Sequence, residues 1–282
     1  PAIDAITFRP TGSPETIRWD ASLNTNYTDG IIILHNNHIV YEKYSGCLQQ
    51  DGKHAAMSMT KSLVGLLAEI LIADKQLDPN TKVESLIPEL KGSAFAQASV
   101  RQVMDMTTSL AYSENYADPN ADIWKYSKAA SPLPKGKDYQ GPNGYFEYLK
   151  TVQPAGQHGK AFGYKTVNTD VLGWILSKVS GQDISSLLSQ RLWRHLGAEQ
   201  DAYMTVDAIG TLFAGGGLSA GLRDMARLGL LLLNDGVLNK KRLLNKSVID
   251  NIRQGGDKAV FAEAGYNSIP NGSYRSMWWV FH

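Results

Sequence analysis

Ser58 and Lys61 stand three positions apart at the start of a long apolar segment, and no other serine of the 282-residue chain has a lysine at this spacing. In a helix, residues i and i+3 share one face, so the Lys61 amine can reach the Ser58 hydroxyl. A hydroxyl is a weak nucleophile at its ordinary pKa and needs an adjacent base. The spacing therefore predicts that Ser58 accepts an acyl group with the help of Lys61.

The segment after Lys61 is apolar around nearly the whole helix, which is typical of a buried central element. Its apolar residues are Leu63, Val64, Leu66, Leu67, Ala68, Ile70, Leu71, Ile72 and Ala73. A helix start offers unpaired N–H groups to a developing oxyanion, and burial favours a neutral lysine. The alternative is that Ser58 only caps the helix and that Lys61 is a solvated surface charge.

Composition excludes several classes of protein. The chain is 43% hydrophobic, enough for a large core in one or two tightly joined domains. With 28 basic and 27 acidic residues and no basic run, nothing predicts a nucleic-acid partner. The longest apolar stretch is interrupted by Glu69, so no membrane span is predicted. The single cysteine, Cys47, excludes an intrachain disulfide and a multi-cysteine zinc site.

Histidines are dispersed, and a pair at His35 and His38 would lack further metal ligands, so we expect neither a metal nor another cofactor. The chain begins at Pro1 without a charged and then apolar leader, so any signal segment was removed or never present. Localisation, whether cytoplasmic or periplasmic, and oligomeric state stay open.

Local patterns predict a mixed α+β fold. The expected elements are a hairpin at 30–44, a short helix at 100–106 capped by Ser99, a loop-rich stretch at 111–164, helices at 169–179, 183–196, 223–234 and 246–254, and a strand at 274–281. We expect an antiparallel sheet completed by both ends of the chain and flanked by helices. This predicts a discontinuous α/β sheet domain of residues 1–98 plus 182–282. A helical and loop-rich domain of residues 99–181 would carry the substrate loops.

Three features together resemble the serine β-lactamases and penicillin-binding DD-peptidases, and among them the class C-like branch. The first is Ser58-x-x-Lys61 on an apolar helix that follows a hairpin. The second is Tyr164 before a helix, with Gly173 nine positions later, and the third is the glycine-rich turn 213–221. The resemblance spans most of the chain and implies a β-lactamase/transpeptidase-like fold. It also implies that Tyr164 passes a proton to the leaving group and helps to activate water.

The stretch 104–124 resembles the loop beside the active site of the 6-aminohexanoate (nylon) oligomer hydrolases and their relatives, the family VIII carboxylesterases. This resemblance implies that Tyr116 contacts the substrate or its leaving amine, and Trp124 and Asn168 complete the expected substrate-binding set. A loop aromatic that only packs is nearly as good an interpretation of Tyr116. The substrate is expected to be a small linear amide or a short-chain ester.

Thr166 stands where the resembling family has the asparagine of its Tyr-x-Asn motif. In members that recognise β-lactams, that asparagine binds the substrate amide, so its absence argues against β-lactamase activity. Asn168 lies two positions further on and could replace it only if the backbone bulges. The departure favours a simpler amidase or esterase.

The family's third motif, Lys or His followed by Thr or Ser and then Gly, is not found after Tyr164. The chain ends at His282 where the strand that carries it is expected, so we expect this motif and its oxyanion-hole N–H beyond His282. Without them, about 3 kcal/mol of transition-state stabilisation or more would be lost. The alternatives to an amidase or esterase are therefore a penicillin-binding or β-lactamase-like protein and a catalytically lapsed binding relative.

Two other serines imitate catalytic motifs. Gly217-Leu218-Ser219-Ala220-Gly221 fits the Gly-x-Ser-x-Gly motif of a nucleophile elbow. That motif requires a downstream acid and then a histidine, and the only histidine after Ser219 is His282. We expect a glycine-rich turn in which Ser219 caps the next helix. Ser113-Glu114-Asn115 imitates a Ser-x-Asn motif but lies in the loop-rich stretch, so Tyr164 is the better partner for Ser58.

Overall fold

Helices dominate the computed structural model, which describes residues 3–266 and 268–282. The α-helices of these residues are α1 Trp19–Thr25, α2 Met59–Ala73, α3 Val83–Leu86, α4 Val100–Met104, α5 Asp122–Ala130, α6 Tyr145–Thr151, α7 Val167–Ser180, α8 Ile184–Arg191, α9 Leu222–Leu233, α10 Lys246–Gln254 and α11 Lys258–Ala262. Short 3-10 helices cover Ile3–Ala5, Pro88–Leu90 and Trp193–His195.

Strands are short and pair antiparallel. They are β1 Thr7–Phe8, β2 Ile17–Arg18, β3 Gly30–His35, β4 His38–Tyr44, β5 His54–Ala55, β6 Leu110–Ala111, β7 Gln153–Pro154, β8 Tyr203–Met204, β9 Leu218–Ala220, β10 Val237–Leu238, β11 Lys241–Arg242, β12 Ser273–Arg275 and β13 Trp278–Val280. β5, β9 and β8 form a three-stranded sheet, and the other strands form two-stranded pairs. The predicted α+β class is confirmed.

The expected single sheet built from both chain ends is wrong for the described residues. The β3–β4 hairpin pairs in register from Gly30 with Tyr44 to His35 with His38, and it is not hydrogen-bonded to β12 or β13. The two hairpins pack against different helices, β3 against α9 and β13 against α2 and α10. Among the described residues, the strands that the sequence pattern places in one sheet therefore form two separate hairpins.

Helix α2 is the buried central element that its apolar sequence predicts. Its residues from Thr60 to Leu71 are buried with the exception of Ser62, and it packs against α7, α8 and α10. Gly65 faces the turn between β12 and β13 so closely that an added Cβ would lie 1.9 Å from the Ser276 carbonyl oxygen. The position of α2, and so of its first turn, is fixed by this close contact.

The expected strand at 274–281 is a hairpin. Ser276 and Met277 between β12 and β13 both have left-handed backbone conformations, with φ of 51° and 67°, which suit the tight turn that a two-residue hairpin requires. The Ser276 hydroxyl donates to the buried Glu69 carboxylate of α2, and Arg101 of α4 donates to both. This buried network holds the turn against α2.

Several predicted helices agree with the structure in type and differ in length. α7 ends before Gly181, which takes a left-handed conformation with φ of 70°, as expected of a glycine after a helix. α8 ends at Arg191 rather than near 196, because Leu192 leaves the helical conformation with φ of −139°. Ser99 caps α4 through a capping box with Gln102. The stretch 111–164 contains two helices, α5 and α6, that the sequence analysis does not predict, because its frequent prolines and glycines indicate loops.

The division into residues 1–98 plus 182–282 and residues 99–181 stays a prediction. α2 of the first part packs directly against α7 of the second. None of the helices within 3–266 and 268–282 is both long enough and apolar enough to cross a bilayer. Across the same residues, no cluster of three His, Cys, Asp or Glu side chains is arranged to hold a metal ion.

Candidate active site

Ser58 immediately precedes α2, with an exposed side chain that makes no capping hydrogen bond. The preceding Met57 has a left-handed backbone conformation with φ of 45°, which is uncommon for a residue other than glycine. After this turn, Ser58 lies at the surface. In the described part of the chain, the Ser58 N–H donates to no backbone acceptor. The interpretation of Ser58 as a helix cap is therefore wrong.

Lys61 is buried, with only 1% of its surface exposed. Its Nζ donates to Ser58 Oγ at 3.1 Å and to the Gly215 carbonyl oxygen at 2.5 Å. Burial lowers the pKa of Lys61 to about 8, and the negative charges of Asp170 and Glu114 act in the opposite direction. Lys61 is not a solvated surface charge, and a fraction of its amine is neutral near neutral pH.

Tyr164 lies beside this pair, with its ring centroid 5.3 Å from Lys61 Nζ. The ring stacks on Trp279 of β13 at 5.5 Å and meets Tyr274 of β12 edge to face at 6.2 Å. Burial raises the pKa of Tyr164, and a hydrogen bond with Ser58 opposes the rise. The structure thus brings the three side chains predicted to be catalytic together, and the C-terminal hairpin positions Tyr164.

Glu114 is a central residue of the site that the sequence analysis missed. It accepts hydrogen bonds from the Thr166 backbone N–H at 2.5 Å, from the Thr166 hydroxyl at 2.6 Å and from the Tyr116 hydroxyl at 2.7 Å. Its carboxylate thereby joins the loop of Tyr116 to the start of α7. In the sequence, Glu114 stands in Ser113-Glu114-Asn115, within the stretch 104–124 that resembles an active-site loop, and neither pattern marks its carboxylate.

Thr166, which replaces the asparagine of the family motif, is buried and has turned toward Glu114. Both of its donors are used by that carboxylate. Thr166 therefore offers no donor to a substrate amide, and its role in this chain is to hold the Glu114 loop.

Tyr116 and Trp124 form an edge-to-face pair at the surface, with ring centroids 6.0 Å apart and an interplanar angle of 84°. Tyr116 is 59% exposed and Trp124 is 42% exposed. Partial burial, and then the hydrogen bond to Glu114, raise the pKa of Tyr116. Two exposed rings tied to the site through Glu114 form a surface that a ligand can cover, and their role in substrate binding stays a prediction.

The structure disagrees with the expectation that Asn168 binds substrate. Its side chain has no exposed surface. The amide oxygen accepts from the Thr108 hydroxyl at 2.6 Å, and the amide nitrogen donates to the Lys165 carbonyl at 3.1 Å. Asn168 lies in the first turn of the regular helix α7, without the bulge that would expose it, so it fastens α7 to the interior.

Ser219 is buried in the strand β9, opposite Ala55 and Tyr203. It lacks the exposed turn that a nucleophile elbow requires, as the sequence analysis expected. It does not cap the following helix, because Gly221 precedes α9.

Comparison with known proteins places this geometry in a family. The family model described as Beta-lactamase matches residues 27–282. The chain is 35% identical over 258 residues to the 6-aminohexanoate-dimer hydrolase of Paenarthrobacter ureafaciens, a match that covers 91% of this chain and 65% of that protein. The chain thus spans less than two thirds of the length of this relative.

Solved structures agree with the fold. A Bacillus anthracis protein, named as a candidate 6-aminohexanoate-dimer hydrolase, superposes with a TM-score of 0.87 at 30% identity, over 98% of this chain and 71% of that one. EstCE1, named as a hydrolase with promiscuous acyltransferase activity, superposes with a TM-score of 0.68 over 93% of this chain and 80% of that one. At 15% identity, EstCE1 supports the fold alone. The chain belongs to the β-lactamase family.

Proposed function

We propose that this protein is a serine hydrolase that cleaves linear amides or short-chain esters through an acyl-enzyme on Ser58. One observation carries the proposal: the amine of the buried Lys61 lies 3.1 Å from the hydroxyl of Ser58, an exposed residue. An amine whose pKa is lowered to about 8 can take a proton from a hydroxyl at this distance. A lysine that served only as a surface charge would need neither the burial nor the contact.

The proposed reaction has two halves. Ser58 Oγ attacks the substrate carbonyl while its proton passes to Lys61 Nζ, and the Ser58 N–H at the helix start donates to the oxyanion. The leaving amine or alcohol then takes a proton from Tyr164, and the acyl group stays on Ser58. In the second half, water gives a proton to the Tyr164 oxygen and attacks the acyl carbonyl. Ser58 Oγ then takes back its proton from Lys61 Nζ as the acid is released.

The substrate proposal rests on three supports. The 35% identical relative is named for hydrolysis of the 6-aminohexanoate dimer, a linear amide. Thr166 uses both donors on Glu114, so the amide-binding group of β-lactam recognition is replaced. The exposed Tyr116 and Trp124 rings offer apolar surface to an extended aliphatic chain.

The test compares two serine substitutions. Ser58→Ala is expected to reduce hydrolysis of p-nitrophenyl acetate and of the 6-aminohexanoate dimer to background, since the attacking oxygen is removed. Ser219→Ala is the matched control and is expected to retain the activity, since Ser219 is buried in β9. Activity that survives in Ser58→Ala and is lost in Ser219→Ala would overturn the assignment.

The same experiment separates a hydrolase from a catalytically lapsed binding protein. Intact-mass measurement after mixing with p-nitrophenyl acetate is expected to show an acetyl adduct on Ser58 that disappears as substrate is consumed. An adduct that persists after the ester is exhausted would show acylation without turnover and contradict the proposed hydrolysis.

A further inference from the structure

Asp170 lies in the first turn of α7 and is almost completely buried, with 1% of its surface exposed. Its Oδ1 accepts the Gly215 backbone N–H at 3.1 Å, and its Oδ2 accepts the Tyr126 hydroxyl at 2.5 Å. The carbonyl oxygen of the same Gly215 accepts Lys61 Nζ at 2.5 Å. One glycine residue therefore connects a buried carboxylate to the lysine that touches Ser58.

We propose that Asp170 is a positioning residue, which holds Gly215 so that its carbonyl oxygen places Lys61 against Ser58. The buried carboxylate also acts on the Lys61 amine through its charge. The inference rests on the proposed function, because it assigns a role in preparing the same base. Asp170 acts through Gly215 and does not touch the reacting atoms.

The turn around Gly215 has little room to move. A Cβ at Gly215 would lie 2.4 Å from Thr166 Cγ2 and 2.7 Å from Phe213 Cε2. The partner on the other side of the carboxylate, Tyr126, is buried among Tyr145, Tyr148 and Phe213. Because both partners of Asp170 are packed, the carboxylate holds Gly215 at a fixed distance from α7.

The charged and titratable groups near Lys61 come from separate elements. They are Asp170 of α7, Glu114 of the loop that precedes α5, and the Tyr164 hydroxyl. Burial lowers the pKa of Lys61 and raises that of Asp170 to about 7, while the mutual attraction of the two groups opposes both changes. Removal of the Asp170 charge leaves burial as the stronger influence, so the lysine should lose its proton at lower pH.

Asp170→Asn keeps the size of the side chain and its acceptor for Gly215 while it removes the charge. In a profile of kcat/KM for p-nitrophenyl acetate against pH, we expect the midpoint of the rising limb to move to lower pH by about one unit. The plateau itself should fall, because an amide attracts the Gly215 N–H less strongly than a carboxylate.

Asp207→Asn is the matched control. Asp207 is also buried and accepts backbone N–H groups from Tyr145, Ile209 and Thr211, without contact to Lys61 or Gly215. The midpoint of the kcat/KM profile of the Asp207→Asn variant is expected to coincide with that of the unaltered protein. If Asp170→Asn fails to fold, Tyr126→Phe removes the hydroxyl donor and lets Asp170 keep its proton to higher pH. The midpoint should then move in the same direction by a smaller amount.

The outcomes separate this inference from the proposed function. An unaltered protein that forms no adduct on Ser58 refutes the proposed function and this inference with it. An unaltered protein that forms the adduct, together with unchanged midpoints in Asp170→Asn or in Tyr126→Phe, refutes the inference alone. An equal shift in Asp207→Asn also refutes it, since any buried aspartate would then have the same effect.

Discussion

Substitution of Gly65 by alanine tests whether the close contact between α2 and the C-terminal hairpin positions the site. Gly65 lies one helical turn after Lys61, and an alanine Cβ there would be 1.9 Å from the Ser276 carbonyl oxygen and 2.9 Å from Met277 Cβ. An ordinary carbon–oxygen contact is about 3.3 Å or longer. The helix and the turn must therefore separate by roughly 1.4 Å to accept one methyl group.

The expected cost follows from two opposing effects. Overpacking of this kind costs about 3 kcal/mol, since the obstructing atoms belong to a backbone that the Glu69 network holds. Alanine returns about 1 kcal/mol through its better helix propensity. The net loss of unfolding free energy should be about 2 kcal/mol, which lowers the thermal midpoint by about 5 °C in a chain of this length. Because displacements near 1 Å can cost about 100-fold in rate, hydrolysis should fall by about that factor.

Gly229→Ala is the control, because Gly229 is an exposed glycine inside α9 with no atom within 4 Å of an added Cβ. It should gain up to about 1 kcal/mol of stability and keep its activity. Thermal unfolding monitored by circular dichroism and p-nitrophenyl acetate hydrolysis measure both effects. Equal stability and activity of the Gly65→Ala variant and the unaltered protein would show that the hairpin does not constrain α2, and the reasoning would be refuted.

Three further predictions concern the site and its support. The rate of Ser58 acylation, followed as the p-nitrophenol burst, should rise about tenfold per pH unit below pH 8 and level off above it. The reason is that the neutral fraction of Lys61 grows as its proton is lost. A rate that does not change between about pH 6 and 8 would contradict a lysine base. Glu114→Gln should raise KM for the 6-aminohexanoate dimer by about tenfold, since the carboxylate that fixes the Tyr116 loop loses its charge-assisted hydrogen bonds; a change in kcat alone would point to a different role. Glu69→Gln should lower the unfolding free energy by about 2 kcal/mol in urea titrations, because it removes one of the two carboxylates that pair with Arg101. A loss below about 1 kcal/mol would show that Asp105 and solvent replace that partner.

The parts of the site that follow local rules were predictable from sequence. Ser58 and Lys61 share a helix face because of their spacing alone, and the apolar residues that follow require the helix to be buried. Tyr164 could be paired with them only through its resemblance to a family motif, since it follows Lys61 by 103 positions. Short-range periodicity says nothing about which distant segment completes a site.

The errors arose where tertiary partners decide the role of a residue. Asn168 was expected to face substrate, and it is buried because Thr108, from a different segment, satisfies its amide oxygen. The role of Glu114 has no signal in the sequence, because the fold brings Thr166 to the carboxylate across 52 positions of the chain. Helix α5 lies between segments rich in proline and glycine, which predict a loop. Its helical signal is the three-residue spacing of Ile123, Tyr126 and Ala129, which are all buried.

Lys61 links the stability of the core to the chemistry of the site. Its lowered pKa arises first from burial, and burial is supplied by the apolar helix α2 and the elements packed around it. Two carboxylates from outside α2, Asp170 and Glu114, limit that effect, so the lysine pKa stays near 8. A substitution that admits water beside α2 should therefore raise this pKa and slow acylation at neutral pH even where Ser58, Lys61 and Tyr164 keep their positions. Core mutations in this protein should change the pH dependence of the reaction as well as the stability of the fold.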